Sequence, residues 1–174
     1  MKKHLLTLVL LLLGNISFAQ SMKPLTGSVT FVVKNTGLNV DGSISGLQGN
    51  IDFDMLQPSN SKIIVTIDPA TIDTGVGLRD RHLKKEDYFD VDQYQVIKME
   101  STSIVKKSYG YEGVFMLTMK DLTKELVIPF TVKKENSKQH FNASFELDRR
   151  DFGVGGNSWV LSDEVKVKVE LMIN

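Results

Sequence analysis

The chain has 174 residues, with 21 basic and 21 acidic side chains and no cysteine. So even a balance offers no field to draw in nucleic acid, and the lack of thiols excludes disulfides, thiolate nucleophiles and cysteine metal sites. The length suits one domain with a substantial core.

Residues 1–19 read as a secretory signal peptide. Lys2 and Lys3 give a basic start, Leu5 to Leu13 is almost wholly apolar, and Ser17 and Ala19 are the small residues of a cleavage site. The apolar run is shorter than the roughly 20 residues a bilayer span needs. The expectation is a periplasmic or secreted protein whose working domain is residues 20–174. Without Lys2 and Lys3, 19 basic residues face 21 acidic ones, a net charge of −2.

After the leader, apolar residues recur at every second position. Val29, Phe31 and Val33 share one parity, as do Leu47, Gly49, Ile51 and Phe53, and then Ile63, Val65 and Ile67. Tyr111 to Met119, Leu126 to Val132, Phe141 to Leu147 and Val165 to Ile173 alternate in the same way. Each set marks a strand with one apolar and one wet face. Val96 to Val105 is a less regular strand. About eight strands result, with turn signals at Asp41-Gly42, Pro58-Ser59-Asn60, Tyr109-Gly110 and Asn136-Ser137. Such strands build an antiparallel barrel or a two-sheet sandwich. Their length and their Phe-rich faces favour the barrel. Gly46, Gly49 and Gly113 are expected to leave space or bend strands, which tilts the reading towards a cavity.

Residues 78–90 alone suggest helix, being rich in Arg, Leu, Lys and Glu. Leu78, His82 and Leu83 would share a face, and the insert is expected over one end of the barrel. Leu83 and Phe89 should pack inward, because apolar residues in a polar insert need a face to bury.

No catalytic constellation emerges. Beyond the leader the histidines are His82 and His140, and no metal-binding, nucleophile-elbow or phosphate-loop motif accompanies them. Metal binding by His82 with Asp80 or Asp87 is outweighed by a structural role, so neither metal nor cofactor is expected. Arg79-Asp80 carries two readings. Arg79 could grip an anionic head group at a pocket mouth. Alternatively both charges belong to a network that fixes the insert, which is favoured because half-buried charges normally pair. The Phe-rich faces either fill a core or line a cavity, since an eight-stranded barrel can do both.

The ordered motifs resemble one family. Ser28-Val29-Thr30-Phe31, Val40-Asp41-Gly42-Ser43-Ile44, Ile51-Asp52-Phe53-Asp54, Ile72-Asp73-Thr74-Gly75, Arg79-Asp80-Arg81-His82-Leu83, Tyr88-Phe89-Asp90-Val91 and Asp148-Arg149-Arg150-Asp151-Phe152-Gly153 together look like a YceI-like protein. Lys34-Asn35, Gln95 to Met99 and Asp121 depart from the usual pattern. The resemblance implies an all-β fold, an eight-stranded antiparallel lipocalin-like barrel with a short helical insert around a long apolar pocket. It implies an exported, non-enzymatic carrier of a long-chain apolar lipid, of polyisoprenoid or isoprenoid-quinone type. It leaves room for transient membrane contact and for a homodimer. Inward apolar residues would line the pocket: Phe31, Ile51, Phe53, Leu78, Leu83, Phe89, Met99, Phe115, Leu117, Ile128, Phe130 and Phe145. Phe115 and Phe130 are the leading wall candidates. Arg79, Asp80 and His82 would anchor the polar end. A structural barrel with a filled core, and least of all an enzyme acting on such lipids, are the alternatives.

Overall fold

A computed structural model of the protein describes residues 22–174, so the expected signal peptide lies outside the described residues. The strands in chain order are β1 (Lys23–Pro24), β2 (Thr26–Asn35), β3 (Leu38–Ile44), β4 (Gln48–Asp52), β5 (Lys62–Ile67), β6 (Ile97–Lys107), β7 (Gly110–Met119), β8 (Leu122–Glu135), β9 (Lys138–Asp148) and β10 (Leu161–Ile173). One helix, α1 (Gly77–Leu83), sits between β5 and β6. From β4 to β10 each strand pairs antiparallel with the next, and β10 then pairs with β2. The two ends of the sheet are joined by the first strand, because β1 bonds β4 while β2, one residue later, bonds both β3 and β10.

Ten short strands are therefore eight long ones. Residues 23–35 form one strand bent at Leu25, and residues 38–52 form another bent at Gly46, whose φ of 74° a side chain would resist. Leu25 N–H donates to Leu47 O at 3.0 Å, tying the two bends together. The exposed edge of β3 is covered by residues 68–73, where Ser43 and Asp73 exchange backbone bonds of 2.8 and 3.0 Å. Covering an edge in this way removes a template for aggregation.

The turns follow from backbone chirality, with one correction. Thr36 and Gly37 both have positive φ and close the first hairpin as a two-residue turn. Asp41-Gly42, expected to be a turn, lies inside β3 instead. Gly42 is opposite Phe31, and a Cβ there would meet the Phe31 ring at 2.3 Å, so the glycine makes room for a ring. Gly113 serves Phe115 in the same way, with the ring 2.4 Å from where a Cβ would stand. Space expected to remain open at Gly113 is thus occupied. At Asn136-Ser137 both residues again have positive φ, between β8 and β9.

Two irregularities shape the wall. β6 shifts register between Ser101 and Ser103, and buried Ser101 turns its hydroxyl to accept from Ile63 N–H at 2.9 Å. β8 pairs with β7 over residues 122–130 but with β9 only from Phe130 onward. Pro129, which has no N–H to give, stands at that division.

Candidate functional site

The strands run the length of the barrel, and their inward faces divide it into two ends. At one end Phe53, Tyr111, Phe115, Phe130 and Phe141 are buried together with Ile63, Ile104, Ile128 and Leu171. Phe53 meets Tyr111, Phe130 and Phe141 edge-on at centroid separations of 5.0, 5.9 and 5.2 Å. Tyr111 stacks on Phe130 at 5.5 Å. This end is a packed core, with aromatic pairs adding about 0.5–1.5 kcal/mol each beyond area burial.

At the other end lies a cavity of about 300 Å³. β2 contributes Val29, Phe31, Val33 and Asn35, β10 contributes Leu161, Val165, Val167 and Val169, and β5, β6 and β7 contribute Val65, Ile67, Ile97, Met99, Leu117 and Met119. The insert between β5 and β6 lies over this end, bringing Thr74, Arg79, His82, Leu83, Tyr88 and Phe89 to the lining. Helix α1 stops at Leu83, well short of the expected residue 90. Phe89 N–H donates to Leu83 O and Val91 N–H to Lys84 O, so the chain doubles back after the helix. That turn puts Leu83, Tyr88 and Phe89 over the cavity together, and tertiary burial overrides the helix preference of Lys84 to Glu86.

Thr74, Arg79 and Arg149 of the lining are already engaged within the fold. Thr74 is the hub of the insert. Its hydroxyl donates to Asp80 Oδ1 and accepts from Arg79 Nε at 2.7 Å, and its carbonyl accepts from Arg79 Nη2 at 2.8 Å. Arg79 and Asp80 thus grip the same threonine. The His82 ring lies edge-on to Tyr88 at 5.0 Å. Among the described residues no group of His, Asp and Glu side chains is placed to hold a metal ion.

Arg149, 4% exposed, was assigned no role from the sequence. Its guanidinium donates to the carbonyls of Ser162, Val154, Gly156 and Leu161 at 2.9, 2.6, 2.8 and 3.3 Å and to Asp163 Oδ1 at 2.9 Å. It stitches residues 154–163 across the end of the barrel, beside Phe152 and Val154 in the core. Asn35 has its Oδ1 buried without a hydrogen-bond partner at the cavity wall.

Of the residues singled out from the sequence, Phe31, Leu83, Phe89, Met99, Leu117, Phe145, Arg79 and His82 line the cavity. Phe53, Phe115, Ile128 and Phe130 are buried in the filled end, with Ile51 packed against them, so the two leading wall candidates stand beneath the cavity. Leu78 is 71% exposed and points away. Asp80 acts through Thr74 rather than on the cavity. Asn35 and the valines of β2, β5 and β10 also line it. The valines had been read as an apolar face, but which end stays open depends on side-chain volumes summed across strands.

Known proteins share this architecture. Residues 21–173 match the profile of the YceI-like domain. The chain belongs to the YceI-like family. The UPF0312 protein of Serratia proteamaculans is 26% identical over 150 residues, spanning 82% of this chain and 78% of the relative. Burkholderia cenocepacia BcnA superposes with a TM-score of 0.81 at 24% identity, covering 87% of this chain and 100% of BcnA. A structure from Saccharophagus degradans, described as a polyisoprenoid-binding domain implicated in plant cell wall breakdown, gives 0.69 at 14% identity, covering 87% and 95%. The family fold is therefore an all-β, lipocalin-like barrel with a short helical insert.

Proposed function

We propose that this YceI-like protein is an exported binding protein that carries or sequesters an apolar lipid chain, of isoprenoid type, in the open end of its barrel. The observation that carries this reading is the cavity of about 300 Å³ whose walls are valine, leucine, isoleucine, methionine and phenylalanine side chains. Burying a chain there gains about 0.8 kcal/mol per methylene, which needs few polar contacts. Binding rather than catalysis is favoured because Thr74, Arg79 and Arg149 spend hydrogen bonds on the fold itself. The polyisoprenoid-binding description of the Saccharophagus domain supports the ligand class.

Organic extraction of purified protein, followed by mass spectrometry, tests the proposal. A prenyl or related chain should come out in near-equimolar amount, or the empty protein should take up added farnesol. Protein that yields no lipid and retains no farnesol would sink the reading.

A further inference from the structure

We propose that the aromatic end of the barrel is a ruler: the slot encloses one linear chain of about a dozen carbons and stops there. The inference rests on the lipid-binding reading and adds to it a chain number, a length limit and the groups that set it.

The floor of the slot is sharp. On β5 the lining reaches Val65, and the next inward residue, Ile63, belongs to the packed cluster. On β7 it reaches Leu117 and the next is Phe115, while on β10 it reaches Val169 and the next is Leu171. Three strands thus change from wall to plug within one two-residue step, about 7 Å of strand. Phe115 and Phe130 lie edge to face in that plug, 6.3 Å apart. These buried rings stand in the way of a longer chain.

The slot is also narrow. Its lining on β2 runs from Val29 to Asn35, six residue steps, which is about 20 Å along the strand and about 15 Å along the barrel axis at a strand tilt of about 40°. A volume of about 300 Å³ spread over that axial depth leaves a cross-section of about 20 Å², that of a single hydrocarbon chain. A fused-ring lipid or a pair of acyl chains does not fit that shape. A cavity of about 150 Å³ is filled by one benzene ring, so twice that volume admits about a dozen carbons. A longer prenyl chain would leave its remainder outside the barrel.

Equilibrium dialysis with octanol, dodecanol and hexadecanol reads the limit directly. Affinity should rise about fourfold per carbon from octanol to dodecanol. It should then stay level to hexadecanol, because the added carbons remain in water. Val65→Phe raises the floor and should move the break to a shorter chain, so dodecanol loses its advantage over octanol. Phe115→Ala lowers the floor and should restore the rise to hexadecanol. Should that variant not fold, the wild-type series and Val65→Phe decide alone. A steady fourfold rise through hexadecanol in the wild type, or a break unmoved by Val65→Phe, overturns the ruler while leaving lipid binding intact. Failure of every alcohol to bind overturns the lipid reading itself.

Discussion

The two ends of the barrel are made by the same strands with the same alternation, yet one is solid and the other hollow. On β7, Tyr111 and Phe115 are in the plug while Leu117 and Met119 line the cavity. On β10, Leu171 is in the plug while Val165, Val167 and Val169 line the cavity. An eight-stranded barrel has an interior that side chains just fill. Five rings close one end. At the other, the valines of β2, β5 and β10 leave a gap that Phe31, Phe89 and Phe145 border without filling. Alternation therefore decides which side of the wall a residue faces, and volume along the strand decides whether that side is core or site.

The comparison breaks first at the rings. Phe53→Ala should cost about 3–5 kcal/mol in a denaturant titration, because three aromatic partners lose contact and the plug cannot collapse. Val165→Ala at the hollow end should cost less than about 1 kcal/mol, since its side chain already borders empty space. Equal losses at the two positions would erase the distinction between the ends. Arg149→Ala should follow at about 3 kcal/mol, because four carbonyls and Asp163 lose a buried donor. Arg79→Ala, on the insert, should cost about 1 kcal/mol, as it removes two bonds to Thr74.

A group on the outer wall provides a control for both ends. Hydrogen bonds from Lys62 and Lys98 hold the Glu100 carboxyl down from 4.5 to about 2. The folded value lies below the unfolded one. The contribution is therefore complete above pH 4.5 and fades as pH falls towards 2. With Glu100 33% exposed, solvent screening limits it to about 1 kcal/mol. Glu100→Gln should flatten the acid limb of a stability profile in that window without changing chain affinity.

The smallest effect concerns Asn35. Its unpartnered Oδ1 makes Asn35→Leu neutral or stabilising by up to about 1 kcal/mol. The same change should narrow the preference for dodecanol over dodecane in dialysis. An unaltered preference would show that the free Oδ1 does not meet the alcohol's hydroxyl.

Much of the barrel was legible because a strand announces itself by period two. Seven of the eight long strands and the second half of the one over residues 38–52 were readable, as were the insert and its place at one end and the inward side of Phe31, Met99 and Phe145. Asp41-Gly42 misled because the same dipeptide that makes a tight turn also clears space for Phe31 across the strand pair. The length of α1 misled because local propensity carries no information about the need to fold Phe89 back over the cavity. Phe115 and Phe130 were placed facing inward from pattern alone, but wall and plug differ only in what stands opposite, and that is a property of several strands at once. Arg149 entered only as part of the 148–153 motif, and its structural role stayed hidden because four of its five partners are backbone carbonyls that any sequence would supply.

Trp159, the single tryptophan, stands fully exposed on the loop that leads into Leu161 of the lining. Thr36 N–H bonds Val160 O at 2.8 Å, so the backbone next to Trp159 is held beside the first hairpin. A ring so exposed should emit as one bathed in water and report on this rim rather than on the slot. A chain sliding into the slot leaves the emission and its quenching by acrylamide unchanged. A surface settling on the rim shifts the emission to the blue and shields it. The molecule thus carries an optical label that separates loading from docking without any modification.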